Sequence, residues 1–231
     1  MATIKINNVT ALTESGGTVT LDSGVTGIPA AGVTGVLPVG VTGGSGLTTV
    51  PGASWVKLEE TDASGASTVT MGSASIFSST YDLYVIVVTK MKPSGSNNSF
   101  RGKFYLDGSL IAGDKYRWQN IQYSGSSESY TADQSGGLFD IHVNINTAIE
   151  SSADNHMNSV MYLYHPSSTD TLTFLEGTSV AFNNANVPNM SRFFVTNVTS
   201  GGVNVQACTG IQFFMSAGTF SCKLVVYGVK N

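Results

Sequence analysis

The sequence predicts an all-β protein with three parts: an extended N-terminal arm, a glycine-rich linker and an antiparallel β-sandwich head. Three observations carry this. The tetrapeptide Gly-Val-Thr-Gly begins at Gly24, Gly32 and Gly40, an eight-residue spacing that neither a helix nor a lone alternating strand produces. From Trp55 onward, segments of strand length recur with turn residues between them, at the roughly ten-residue intervals typical of sandwiches and barrels. No segment has a convincing helical period, and a parallel α/β sheet, which needs crossover helices, is excluded. The parts divide as 1–23, 24–53 and 54–231.

In the arm, Thr3 to Val9 and Thr18 to Leu21 read as short strands around the turn signal Glu14-Ser15-Gly16-Gly17. So small a hairpin has too little apolar surface to fold alone, and it is expected to be ordered by docking on neighbouring subunits or on a larger assembly. The linker threads Val25, Ile28, Val33, Val36, Leu37, Val39, Val41 and Leu47 between glycines and the prolines Pro29 and Pro38. Glycine and proline at this density rule out a helix interior. Because these few side chains cannot form a core alone, their expected partner is another copy of the same segment.

Composition changes at Pro51-Gly52-Ala53-Ser54, where the head begins. Its expected strands are Trp55 to Glu60, Ser67 to Met71, Leu83 to Lys90, Phe100 to Leu106, Tyr116 to Tyr123, Leu138 to Asn144, Ser159 to His165, Thr171 to Phe174, Arg192 to Val198, Ile211 to Met215 and Lys223 to Val229. The clearest hairpin turns at Asp107-Gly108, since Asp-Gly supplies the positive φ of a type I′ turn. The run Leu83 to Val88 is too continuously apolar for an edge strand, so a central place covered on both faces is expected. The two closing strands have the same character.

The linker also carries a resemblance. Gly35-Val36-Leu37-Pro38-Val39 followed by Gly43-Gly44-Ser45-Gly46-Leu47 resembles the G-x-L-P-V then G-G-T-G signature of the shafts and linkers of bacteriophage tail fibres and related virion appendages. Three residues, Gly40, Val41 and Thr42, stand where that pattern usually has two, and Ser45 replaces Thr. In the family such segments join a virion-anchored N-terminus to a globular C-terminal head, usually in a homotrimer. The resemblance implies the same here, with the arm contacting other virion proteins. Three parallel copies would then wind the octad together, with Val25, Ile28, Val33, Val36, Leu37 and Val41 forming the trimer seam and glycine letting the backbones approach an axis. The ending, an apolar strand, a Ser-Ala-Gly turn and a last strand closing on Tyr227-Gly228-Val229-Lys230, is similar to the ends of phage jelly-roll heads, which implies a jelly-roll-like sandwich.

Charged residues make up 11% of the chain, against roughly 25% in an average soluble domain, so the surface is neutral and hydroxyl-rich. With a net charge of −4 and no basic cluster, a nucleic-acid partner is not expected. The densest apolar run falls far short of the ~20 residues that span a bilayer, and Met1 to Asn8 lacks the h-region of a signal peptide, so folding in the cytosol without membrane insertion is expected; the resemblance implies residence in the virion after assembly in the host cytoplasm. Cys208 and Cys222 read as buried thiols. His142, His156 and His165 share no metal-site spacing, so neither a metal nor a cofactor is expected.

No catalytic set is legible. Asp154, His156 and Ser151 or Ser152 lie close in sequence but without a nucleophile elbow, and Glu59, Glu60, Asp114, Asp133, Glu150 and Glu176 cannot be paired for glycoside cleavage. The expectation is a protein that is not an enzyme. The candidate receptor-binding residues are Tyr116, Trp118 and Asn120, which alternation puts on one face of a strand, opposite Arg117, Gln119 and Ile121, with Tyr130 extending the set. Ring faces stack on a pyranose and amides bond its hydroxyls; the opposing reading packs Tyr116 and Trp118 in the core. Serine-rich tips at Ser94 to Ser99 and Ser124 to Ser129 offer another surface. Two functions follow: a trimeric fibre or spike subunit that attaches a virion to a host-surface receptor, expected to be a glycan, or a capsid or tail decoration (cement) subunit with a structural role.

Overall fold

The computed structural model describes residues 2–6, 9–15, 18–21, 55–95, 98–111, 113, 116–142, 156–182, 187–199, 202–203 and 205–229. The seam residues Val25, Ile28, Val33, Val36, Leu37 and Val41 lie outside the described residues. The chain divides into two compact units, Met1–Val50 and Pro51–Asn231, and every described regular element is a strand.

In the first unit β1 (Ala2–Ile6), β2 (Val9–Ser15) and β3 (Thr18–Leu21) form an antiparallel meander in that order. The arm therefore has one strand more than the sequence led us to expect. Pairing Ile6 with Val9 leaves only Asn7-Asn8 between β1 and β2, and pairing Ser15 with Thr18 leaves only Gly16-Gly17, both the length of a tight hairpin connection.

The second unit holds β4 (Trp55–Ala66), β5 (Thr68–Met71), β6 (Leu83–Pro93), β7 (Phe100–Leu106), β8 (Ser109–Leu110), β9 (Tyr116–Ser124), β10 (Ser127–Gly136), β11 (Phe139–His142), β12 (Met157–Tyr164), β13 (Phe174–Phe182), β14 (Pro188–Thr199), β15 (Gly202–Val203), β16 (Cys208–Met215) and β17 (Phe220–Val229). A large antiparallel sheet runs β10-β9-β14-β13-β12-β6-β17-β4, with β15 on β14. A smaller one runs β11-β7-β16-β5, with β8 on β7. The two pack as a sandwich.

The core between the sheets is aromatic and aliphatic. Phe100 stacks on Phe213 with centroids 5.7 Å apart, and Phe104 meets both Tyr116 and Phe139. The strand expected at the centre, β6, pairs with β12 and β17, and Tyr84, Val85, Ile86 and Val88 are all buried. Register sets outward-facing Val85 between Tyr162 and Tyr227, two large neighbours on the same face. The Asp107-Gly108 turn forms as expected, with φ of 47° and 78°, and Leu106 pairs with Ser109 across it.

Two longer strands of the second unit depart most from the sequence reading. The strand expected to end at Phe174 instead begins there and runs through Gly177 to Phe182. That glycine is not a breaker: a Cβ at 177 would lie 2.6 Å from the Val160 carbonyl oxygen and 2.9 Å from the Phe193 ring, so it marks a close approach inside the sheet. The second is β10, whose run Ser127 to Gly136 is too polar to read as a strand. It lies at the edge of the sheet, paired on one side only, where an apolar pattern is not required.

Candidate functional site

Strand β9 sets the geometry of the site, and its alternation is as the sequence implies. Tyr116, Trp118, Asn120 and Gln122 point one way and Arg117, Gln119, Ile121 and Tyr123 the other. The first set is the inner one. Tyr116, Trp118 and Asn120 are 0%, 6% and 1% exposed, so the structure buries the three sequence candidates, though Trp118 also reaches the lining of a hollow on the outer face. Tyr116 packs against Phe104 and Phe139, and its hydroxyl accepts a hydrogen bond from the Phe104 amide at 2.8 Å. Burial raises the phenol pKa well above its ordinary value. The Asn120 amide donates to the Ile141 carbonyl at 3.4 Å.

The outward set faces solvent beside the outward residues of two neighbours. Register aligns Gln119 with Phe194 and Arg117 with Thr196 on β14, and Gln119 with Ala132 and Ile121 with Tyr130 on β10. Arg117, Gln119, Tyr130, Ala132, Phe194 and Thr196, with the largely buried Trp118 between the first two, line a hollow of about 300 Å³. Tyr130 is 60% exposed and Phe194 38%. The Thr196 hydroxyl donates to the Thr173 carbonyl at 2.9 Å, which leaves its oxygen as an acceptor. The site thus offers ring faces, an amide, a guanidinium and a hydroxyl acceptor on one rigid sheet surface, the donor and acceptor set that a polyhydroxylated ligand uses.

A second hollow of about 510 Å³ lies at the other end of the same strands, between Tyr123, His156, Asn158, Val180, Phe182 and Met190. It is mainly apolar: Val180, Phe182 and Met190 are each more than a third exposed. Neither hollow was legible in sequence, because each joins strands far apart in the chain. The visible signal was the polar and aromatic outward set of β9, together with Tyr130.

The described residues of the serine-rich tips have local partners. Ser94 accepts from and donates to Thr219, and the Ser99 amide donates to the Ser216 hydroxyl, tying one tip to the β16–β17 turn. The other tip is largely the β9–β10 hairpin. Among the described carboxylates that sequence left unpaired, each has a different neighbour: Glu59 accepts from the Gly72 amide, Glu176 from the Tyr164 hydroxyl, and Glu60 pairs with Lys57 and Lys223. Lys223 and Lys57 hold the Glu60 carboxyl below its ordinary range. Asp114 and Glu150 lie outside the described residues, as do the side chain of Asp133 and the group Ser151, Ser152 and Asp154.

One serine and histidine do meet. His142 Nδ1 lies 3.1 Å from Ser179 Oγ, whose hydroxyl donates to the Ile141 carbonyl, so the ring N–H donates to the serine oxygen. Nε2 accepts from the Asn189 amide at 3.2 Å. The pair is wholly buried and this proton order is the reverse of nucleophile activation, in which the ring accepts the hydroxyl proton. Burial pushes the His142 pKa down to about 4, so the ring is neutral and structural. Cys208 and Cys222 are free and buried, and burial pushes each thiol up to about 12, far from thiolate chemistry. Among the described residues no three His, Cys, Asp or Glu side chains group as a metal site.

No protein-family model, no curated protein and no solved structure matches this chain.

Proposed function

We propose that the chain is a subunit of a trimeric bacteriophage tail fibre or spike, and that its jelly-roll-like head attaches the virion to a glycan on the host surface. The linker signature and the closing strands support the virion assignment. The attachment role is carried by one observation, the hollow on the outer face where Tyr130 and Phe194 flank Gln119 and Arg117. In this reading the arm docks on other virion proteins and the octad holds the three chains together. A single head binds weakly, and three heads on one trimer raise avidity by ~10²–10⁴ through effective concentration alone.

The apolar hollow around Val180, Phe182 and Met190 supports a second reading, a decoration or cement subunit that uses this face against a neighbouring virion protein. Retention of the full chain on a panel of immobilised neutral and acidic polysaccharides, with light scattering in parallel, separates the two. The attachment reading expects retention of a species three times the 24.1 kDa chain mass. A stable monomer at micromolar concentration removes the trimer, and retention by none of the polysaccharides, with the chain found along the capsid or tail body of purified particles, favours the cement role.

A further inference from the structure

The charges around the Tyr130 hollow are unevenly disposed. Among the described residues its lining contains the cation Arg117 and no carboxylate. A second cation, Arg192, projects from β14 on the same outer face, one outward position along from Phe194 and opposite Ile121. Both arginines are exposed. Among the described residues the ion pairs are Lys57–Glu60, Lys223–Glu60 and Arg101–Asp140, and neither Arg117 nor Arg192 belongs to one. Glu176 is opposite Phe194 in the register, but on the β13 side away from β9, where its carboxylate accepts the Tyr164 hydroxyl at 2.8 Å. Glu128 lies opposite Tyr123, toward the hairpin end. On β10, Tyr130 and Ala132 line the hollow. A chain with a net charge of −4 thus presents a hollow whose described lining carries an arginine and no carboxylate, on the face that also carries its most exposed described tyrosine.

We infer that this hollow selects a pyranose bearing a carboxylate over its neutral counterpart. The inference rests on the glycan reading and deepens it. A guanidinium presents a planar fork of N–H donors that matches a carboxylate two-to-two, and Arg is less strongly hydrated than Lys, so it gives up water to a carboxylate at lower cost. A neutral sugar leaves that fork to solvent. The sugar ring lies on Tyr130 and Phe194, its hydroxyls meet the Gln119 amide and the Thr196 oxygen, and its acid group reaches Arg117, with Arg192 adding longer-range attraction that salt screens.

The test is titration of the full-length protein, followed by NMR line broadening of the sugar, with galacturonate and galactose, glucuronate and glucose, N-acetylneuraminate, and acetate alone. The expected result is at least about tenfold tighter binding of an acidic sugar than of its neutral partner, narrowing as salt rises. Arg117→Gln removes that preference, bringing the acidic sugar down to the affinity of its neutral partner; Tyr130→Ala weakens both. Binding of uronates but not neuraminate, or the converse, identifies which acid is the source, and either supports the inference. Equal binding of acidic and neutral sugars, unaltered by Arg117→Gln, overturns it while the glycan reading stands. Acetate binding as tightly as the acidic sugars overturns it as well, since the ring then contributes nothing. Absence of binding by every sugar overturns the glycan reading itself. Arg117 is exposed, and an unchanged melting temperature for the variant shows that the loss is not one of folding.

Discussion

Tyr116 and Arg117 adjoin in sequence and belong to opposite sides of one sheet. The inner side of β9 is closed by the smaller sheet, and the side chains there are held by neighbours: Tyr116 by Phe104 and Phe139, Asn120 by the Ile141 carbonyl. The outer side has Arg117, Gln119 and Tyr123 open to solvent. Both sides mix rings with amides, so composition alone does not tell a packing face from a binding face. What separates them is whether a second layer lies opposite, and that is a property of the whole chain.

The comparison breaks most sharply by truncation. Trp118→Ala on the inner side is expected to cost about 3–5 kcal/mol, the usual range for a buried aromatic, and Phe104→Ala a similar amount; urea unfolding measures both. A Trp118→Ala protein as stable as wild type would put that residue on an open face after all.

The next effect is that of pH on the buried His142. Its folded pKa is about 4, against an ordinary 6.5, so between those values the unfolded chain binds a proton that the folded chain does not. Stability therefore rises with pH across this window and is lost as pH falls from about 6.5 toward 4. The shift corresponds to about 3 kcal/mol in all. Unfolding curves at several pH values should show this slope, and His142→Gln should flatten it.

Gly177→Ala comes after these. The added methyl meets the Val160 carbonyl oxygen and the Phe193 ring, and a cost of about 1–3 kcal/mol is expected from overpacking, with the β circular-dichroism signature kept. Outer-face changes are the smallest. Tyr130→Ala or Gln119→Ala should move stability by no more than about 0.5 kcal/mol, because neither side chain fills the core.

Much of the sandwich was legible because its signals are local. Alternation assigned the two sides of β9, Asp107-Gly108 announced its turn, and the apolar run from Leu83 identified a central strand. The misread elements fail for non-local reasons. Gly177 resembles a terminator until β12 and β14 are seen pressing against it, and β10 resembles a polar loop until β9 pairs with it. For the hollow, sequence named β9 and Tyr130, which border it, but chose the buried set of that strand. Phe194 and Thr196 reach the hollow only through the β9–β14 register, which pairs residues more than seventy positions apart and leaves no mark in either segment. The octad at Gly24 to Leu47, the plainest pattern in the sequence, lies outside the described residues, so its role rests on the resemblance and on light scattering.

The central claim is that recognition belongs to the outer face at Tyr130 and not to the inner face at Trp118. Its most direct measurement is retention of full-length wild type and Tyr130→Ala on one polysaccharide that the wild type binds, with melting temperature recorded for both. The account predicts that Tyr130→Ala melts with the wild type and is not retained. Retention of Tyr130→Ala equal to that of the wild type, at unchanged melting temperature, would contradict it.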